Sequence, residues 1–365
     1  MNEMKWPAWL PLRADLADLS PYGAPQVDVP VRLNTNENPY SLSDELQSAL
    51  RDEISVSLRN LNRYPDRDAL ELRKALAKSI QTSTGTKLES SQIWVANGSN
   101  EIIQTVLLAF QGDAVGFEPS YSMHPLITRV VGKLWTSISR DSNFEVSETQ
   151  IEEAIKTPNA NFIFITTPNN PTGTTTSLEM ISKLAASVIE QRVLVVIDEA
   201  YGEFSSLPSA VTLIERHPNI LVSRTMSKAF AFAGARLGYL IAHPKVIDAL
   251  QLVRLPYHLS TLTQAAALAA ISQQNLLTKD IERLRQARQE VAAEISSLGL
   301  KTYPSEANFL LFTGFTKSST ALWKGLLERG VLIRDVGIPG HLRVTIGTRA
   351  ENRAFLDALR ELIRG

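Results

Sequence analysis

Val193-Leu194-Val195-Val196-Ile197-Asp198-Glu199-Ala200-Tyr201 is the stretch on which the fold turns. Residues 193–197 are all aliphatic, so neither face is polar and they read as a strand covered on both sides. The run stops abruptly in two acids and a tyrosine. An aspartate ending such a strand is costly to bury without a partner. That partner is either a structural cation or a cationic ring nitrogen of a ligand.

The neighbours repeat the pattern. Ile93-Trp94-Val95-Ala96, Phe162-Ile163-Phe164-Ile165 and Ile220-Leu221-Val222 read as strands, with helical segments at 101–110 and 178–191. Strands apolar on both faces, separated by helix-length segments, predict an α/β fold: a mostly parallel central sheet with helices on both faces. The flanks differ. Ser43, followed by Asp44 and Glu45, predicts a capped helix carrying Leu46, Leu50, Ile54 and Leu58. Leu72, Leu76 and Ile80 mark a second helix. Beyond Pro256, Leu277, Ile281, Leu284, Val291, Ile295 and Leu298 form the stripe of a long amphipathic helix. Short strands near 308–312, 331–334 and 342–346 follow. The expected organisation is a large α/β domain over 31–250 and a smaller α+β domain from 1–30 and 251–365.

Length and composition agree. A chain of 365 residues, at about 150 per domain, predicts roughly two domains. Hydrophobic residues at 44% and charged residues at 21% exclude a disordered tail or a coiled coil. A net charge of −1 gives no electrostatic signature of nucleic-acid binding. No apolar run has the roughly 20 residues of a membrane helix, and Pro7, Pro11, Arg13 and Asp15 break any signal-peptide core. No membrane partner is expected, and the reducing cytoplasm is the expected compartment. With no cysteine, disulfides, thiolate metal sites and cysteine nucleophiles are excluded. His124, His217, His243, His258 and His341 show no metal-ligand spacing, so no metal is expected; His124 and His258 are candidates to line a substrate cavity.

Ligands of open α/β sheets bind outside the carboxyl ends of the strands. Besides Asp198, three such ends carry unusual chemistry. Asn97-Gly98-Ser99-Asn100-Glu101 is a strand–turn–helix junction, whose free N–H groups favour an anion. Thr167-Pro168-Asn169-Asn170-Pro171-Thr172-Gly173 is a rigid turn offering the Asn170 amide. Arg224-Thr225-Met226-Ser227-Lys228 is followed by apolar residues and Arg236. Lys228 is a candidate imine-forming amine, because desolvation lowers its pKa. Arg236 and Ser227 are candidates to hold a phosphate. A hydrolase using Ser227 activated by Lys228 is the reading of another class, but adjacent residues of an extended segment point apart.

Together these strings resemble the fold-type I pyridoxal-phosphate-dependent (class II) aminotransferases, and within them the histidinol-phosphate branch. The matching motifs, in order, are residues 33–40, 62–65, 98–101, 119–121, 168–173, 198–201, 227–228 and 342–347. The resemblance implies that Lys228 binds pyridoxal 5'-phosphate through an imine and that Asp198 pairs with the pyridinium nitrogen. It assigns Asn170 and Tyr201 to the ring 3-oxygen and Tyr121 to the ring face. Gly98, Ser99, Asn100, Thr225, Ser227 and Arg236 go to the cofactor phosphate. Tyr64 reaches the phosphate of a neighbouring subunit, which implies a homodimer with shared active sites. Tyr22, Asn36, Arg334 and Arg343 are implied substrate contacts. The implied reaction transfers the amino group of L-histidinol phosphate to 2-oxoglutarate, giving imidazole acetol phosphate and glutamate. The same motifs also fit an aromatic amino acid (phenylalanine) aminotransferase, or a phosphothreonine decarboxylase.

Overall fold

A computed structural model describes residues 6–7, 9–21 and 23–364. The N-terminal part supplies β1 (Val31–Arg32), α1 (Asp44–Leu58) and α2 (Leu70–Thr84). An alternating stretch follows: β2 (Ile93–Ala96), α3 (Ser99–Ala109), β3 (Asp113–Glu118), α4 (Met123–Val130), β4 (Trp135–Ser139), α5 (Glu148–Ile155), β5 (Ala160–Thr166), α6 (Leu178–Val188), β6 (Leu194–Asp198), β7 (Ile220–Thr225) and β8 (Gly238–Ile241). The C-terminal part holds α7 (Pro244–Leu250), α8 (Thr261–Ser272), α9 (Gln274–Ser297), β9 (Lys301–Thr302), β10 (Phe309–Thr313), α10 (Ser319–Glu328), β11 (Val331–Leu332), β12 (Leu342–Thr345) and α11 (Arg349–Arg364).

The central sheet has seven strands in the order β2-β8-β7-β6-β5-β3-β4. All pairs are parallel except those of β8, which runs against both β2 and β7. Alternation along each strand feeds two cores. Ile163, Ile165, Val195 and Ile197 join a core with α2, α6 and α8. Phe162, Phe164 and Val196 join the opposite core, with α3, α4 and α7. Asp198 follows the parity of Val196, so it ends β6 on the α4 side. Among the described residues, no helix is long and apolar enough to cross a membrane.

A third core gathers Leu284, Val291 and Ile295 of α9 with Phe309, Phe312, Val344 and Phe355. It covers a three-stranded sheet, β12-β10-β9, beside the parallel pair β1-β11. The side chain of Leu277, in the expected stripe, lies outside the described residues. The expected boundary at residue 250 falls before α8, whose Ala266, Ala267 and Ala270 pack into the first core. Ser43 caps α1 as its sequence predicts, its hydroxyl accepting from the Leu46 N–H at 3.3 Å.

One close approach holds the start of β8 against the loop after β2. A Cβ on Gly238 would lie 2.4 Å from the Gly98 carbonyl carbon and 2.5 Å from the Ser99 nitrogen. Those neighbours are backbone, so they cannot swing aside. Gly238→Ala is therefore expected to lower stability by about 1–3 kcal/mol in denaturant titration. Gly234→Ala is the control, because its added Cβ meets nothing within 4 Å and should cost no stability.

Candidate active site

The carboxyl ends of β2, β5, β6 and β7 surround a cavity of about 450 Å³, closed on its far side by residues 334–336 and Arg343. Each wall is set by local bonding. Gly98 takes a φ of 88°, which turns the chain from β2 into α3. Asn97 is held by the Glu101 carboxylate at 2.7 Å and by the His258 carbonyl at 2.9 Å. Ser99 and Asn100 thus present the first turn of α3 to the cavity. Tyr121 donates its hydroxyl to Asn100 Oδ1 at 3.1 Å. Buried Asn169 ties two walls together: its amide donates to the Pro119 carbonyl at 3.0 Å, and its Oδ1 accepts from Ser120 Oγ at 2.9 Å.

Asp198 is 2% exposed and His124, beneath it on α4, is 1% exposed. Their Oδ2 and Nε2 atoms are 3.0 Å apart, and Asp198 Oδ1 accepts the Ala200 N–H at 3.1 Å. His124 therefore does not line the cavity as expected; it supports Asp198 from behind. His258 is also displaced from the cavity, stacked on Trp94 with Nε2 at 2.8 Å from the Val95 carbonyl. Glu199 points away from Asp198 and takes two hydrogen bonds from the Arg224 guanidinium, at 2.9 and 3.0 Å. Both partners are buried. Breaking such a pair typically costs about 3–5 kcal/mol, so the 198–201 turn is firmly held.

Lys228 projects from the loop after β7 and donates from Nζ to the Thr35 carbonyl at 2.9 Å. Burial pushes its pKa down to about 8, and the cation of Arg343 pushes the same way. Glu37 opposes them and Arg236 adds to them. Ser227 Oγ contacts Thr225 Oγ1 at 3.0 Å and the Arg236 guanidinium at 3.4 Å. A Ser227–Lys228 hydrolase pair finds no support in these bonds. Thr225 also donates to the Leu237 carbonyl at 3.0 Å. A Cβ on Gly98 would meet the Arg236 guanidinium at 2.7 Å, so glycine keeps this end of the cavity open.

Tyr201 is buried against Phe309, its hydroxyl oxygen accepting from the Asn36 amide at 2.9 Å. Asn36 is thereby a support for Tyr201. Its Oδ1 is also engaged, by Thr345 Oγ1 at 2.9 Å. Arg343 is buried over the Phe309 ring, donating to Asn170 Oδ1 and, at 2.7 Å, to the Asn34 carbonyl. Arg334 lines the same cavity, and an antiparallel bridge pairs it with Arg343. Directly opposed residues share a sheet face, so both guanidinium groups serve one side. Tyr64 stands apart, 80% exposed and stacked on Tyr257 at 4.4 Å, outside this chain's cavity. Tyr22 lies outside the described residues. Among the described residues, no group of three or more His, Asp or Glu side chains is placed to hold a metal.

Sequence reasoning missed His124 as the support of Asp198. A signal existed, since His124 lies only three residues after Tyr121, and the two rings meet edge-on at 5.4 Å. The donor set suits pyridoxal phosphate. Helix N–H groups, hydroxyls and Arg236 fit a phosphate, Asp198 fits a ring nitrogen, Tyr201 and the Asn170 amide fit a phenolic oxygen, and Lys228 fits an aldehyde.

The sequence model of the family described as aminotransferase class I and II matches residues 28–359. The histidinol-phosphate aminotransferase of Mycolicibacterium smegmatis is 51% identical over 361 residues, covering 97% of this chain and 93% of that protein. That of Corynebacterium glutamicum (strain R) is 49% identical over 359 residues, covering 97% of each. Among solved structures, the chain superposes on histidinol-phosphate aminotransferase from Sinorhizobium meliloti in complex with pyridoxal-5'-phosphate. That match has a TM-score of 0.85 and 24% identity, over 98% of both chains. Aspartate aminotransferase from Thermus thermophilus with maleate gives a TM-score of 0.78 at 24% identity, over 93% of this chain and 92% of that one. At those identities the structural matches establish the fold.

The electrostatics of Lys228 are testable in the protein without cofactor. Uptake of pyridoxal phosphate requires the uncharged amine, so its rate should rise with pH through about 8 and level above it. Arg343→Gln removes a cation that depresses Lys228, so the midpoint should move up. A midpoint unmoved by that substitution overturns the assignment.

Proposed function

The chain belongs to the class I and II aminotransferase family, and we propose that this cavity carries out its chemistry through the residues gathered there. The reaction is pyridoxal-phosphate-dependent transfer of the amino group of L-histidinol phosphate to 2-oxoglutarate, in histidine biosynthesis. The observation that carries the site assignment is one cavity lined by two groups of side chains and N–H donors suited to anions. One group has Ser99, Asn100, Ser227 and Arg236; the other has Arg334 and Arg343; Lys228, Asp198 and Tyr201 line the cavity as well.

When bound, pyridoxal phosphate supplies an aldehyde that takes up the amino group and a ring that withdraws electrons from the adjoining carbon. The protein's part is to orient and to move a proton. Asp198, backed by His124, is assigned the ring nitrogen and keeps a proton on it. Tyr201 and Asn170 hold the phenolic oxygen, and Tyr121 covers the ring. The N–H groups of Ser99 and Asn100, past the turn at Gly98, hold the cofactor phosphate with Thr225, Ser227 and Arg236. The amine of Lys228 needs little driving force to lose its charge at neutral pH, so Nζ can take the proton from the substrate carbon that bears nitrogen.

Histidinol phosphate places a phosphate where an amino acid has its α-carboxylate, and 2-oxoglutarate brings two carboxylates. A planar guanidinium recognises both groups through paired donors. Arg343, fixed on Asn170 and Asn34, is assigned that anion, with Arg334 beside it. Tyr22 is a further proposed contact. Tyr64, exposed on this chain, is proposed to complete the phosphate site of a second subunit in a homodimer.

Lys228→Ala is expected to abolish both turnover and the borohydride-reducible visible band of the loaded protein. Titration of the loaded wild type should discharge that band at far lower histidinol phosphate than phenylalanine concentration. Equal potency for phenylalanine would refute the phosphate-site assignment. The shared site has its own test. Lys228→Ala and Tyr64→Ala subunits, each inactive alone, should recover about a quarter of wild-type activity when mixed and re-associated, since half the dimers then hold one intact site of two. No recovery would mean that Tyr64 serves its own chain or none.

A further inference from the structure

Away from the cavity, three rings meet where the two sheet systems touch. Phe144 follows β4 of the seven-stranded sheet, Tyr303 lies between β9 and β10, and His341 immediately precedes β12. The Phe144 centroid is 4.9 Å from that of Tyr303 and 5.5 Å from that of His341, both edge-on. Tyr303 Oη and His341 Nε2 are 3.0 Å apart, and His341 Nδ1 is 2.7 Å from the Pro339 carbonyl. One tautomer satisfies both contacts: Nδ1–H donates to Pro339 while Nε2 accepts from Tyr303.

Each partner is anchored toward the active site. Phe144 sits at a φ of 61°, a conformation rare outside glycine. Its carbonyl accepts from the buried Arg140 guanidinium at 3.2 Å and from Thr174 Oγ1 at 2.9 Å. Thr174 Oγ1 is 2.8 Å from Thr172 Oγ1, which accepts from the Asn169 amide at 2.8 Å. Asn169 adjoins Asn170 and accepts from Ser120, beside Tyr121. On the other side, His341 closes the 335–341 loop, which runs between Arg334 and Arg343 and lends Asp335 and Val336 to the cavity. Thr313 Oγ1 fixes that loop through the Gly340 carbonyl at 2.7 Å. The seam beside the rings is tight: the Glu306 N–H donates to the Gly173 carbonyl at 3.0 Å.

We propose that Phe144, Tyr303 and His341 form a clasp that sets the spacing between the arginine-bearing loop and the cofactor-holding loops. They act as positioning residues for the anionic group of the substrate. The inference rests on the transaminase reading above in taking Arg334 and Arg343 as anion contacts. Because the rings do not line the cavity, loosening them should change how the arginines meet an anion while leaving Lys228 and Asp198 in place.

The test uses the loaded enzyme and two mild variants, Tyr303→Phe and Phe144→Ala, with Phe144→Tyr as the ring-retaining control. KM for both histidinol phosphate and 2-oxoglutarate should rise about three- to tenfold, the range of one net hydrogen bond or ring contact. Turnover number and the visible cofactor band should stay at wild-type values, the pattern of lost binding without lost chemistry. Phe144→Tyr should restore the wild-type KM. Calorimetric binding of glutarate, a dicarboxylate with nothing to react, should weaken by the same factor. Unchanged KM and unchanged glutarate affinity in both variants would overturn the clasp. So would a fall in turnover, band and melting temperature together at constant KM. A wild type that binds glutarate but does not transaminate histidinol phosphate would refute the function alone, since the glutarate comparison still decides the clasp.

Discussion

A carboxylate at the end of a strand buried on both faces is the constraint from which the site follows. Asp198 cannot remain in that position without hydrogen-bonding partners, because an isolated buried charge is prohibitively expensive. The fold supplies two partners on the protein side, the His124 imidazole and the Ala200 N–H, and leaves a cavity in front. The adjacent acid, Glu199, is satisfied in the opposite direction by Arg224, with Ser209 Oγ and the Ala210 N–H at 2.7 Å. Two acids in sequence thus take separate positions, one stabilising the turn and the other facing the cavity. Tyr201 completes the turn, with its hydroxyl held by Asn36.

The same cavity depresses the basicity of an amine and gathers cations around it. Lys228 is half-buried, and its desolvation together with the guanidinium groups of Arg343 and Arg236 disfavours its charged form. The groups proposed to recognise anions are therefore the ones that also depress this amine. In the proposed function one set of side chains serves both binding and proton transfer, because positive potential in a poorly hydrated space attracts anions and disfavours a charged amine. The close approach of Gly238 to Gly98 and Ser99 lets helix N–H groups join that field without a side chain intervening.

Much of this was legible in residue patterns. Doubly apolar strands at 93–96, 162–165, 193–197 and 220–222 predicted the sheet, and each lies within or one residue from an observed strand. Polar and ionisable residues cluster after those strands, which singles out Lys228, Asp198, Asn170 and the 98–100 turn from the sequence alone. Other elements left weaker traces. β3 and β4 contain Asp113, Glu118 and exposed polar positions, which dilute the apolar signal. The reversed direction of β8 could not be read, since strand direction depends on connection geometry and not on side-chain pattern. Nor could the packing of α8 with the first core, because its alanines are small enough to suit either unit.

Residue order by itself determined the fold class and pointed to the strand ends and the amine on which the proposed chemistry rests. These are local properties: hydrophobic periodicity, turn residues and an acid or amine set where burial would otherwise penalise it. Only the tertiary structure decided who supports whom. It set His124 beneath Asp198, placed Asn36 on Tyr201, joined Arg343 to Asn170 across 173 residues and left Tyr64 in solvent. Those pairings require distant segments to arrive within about 3 Å of one another, and that proximity comes from packing whole layers, which no local pattern encodes.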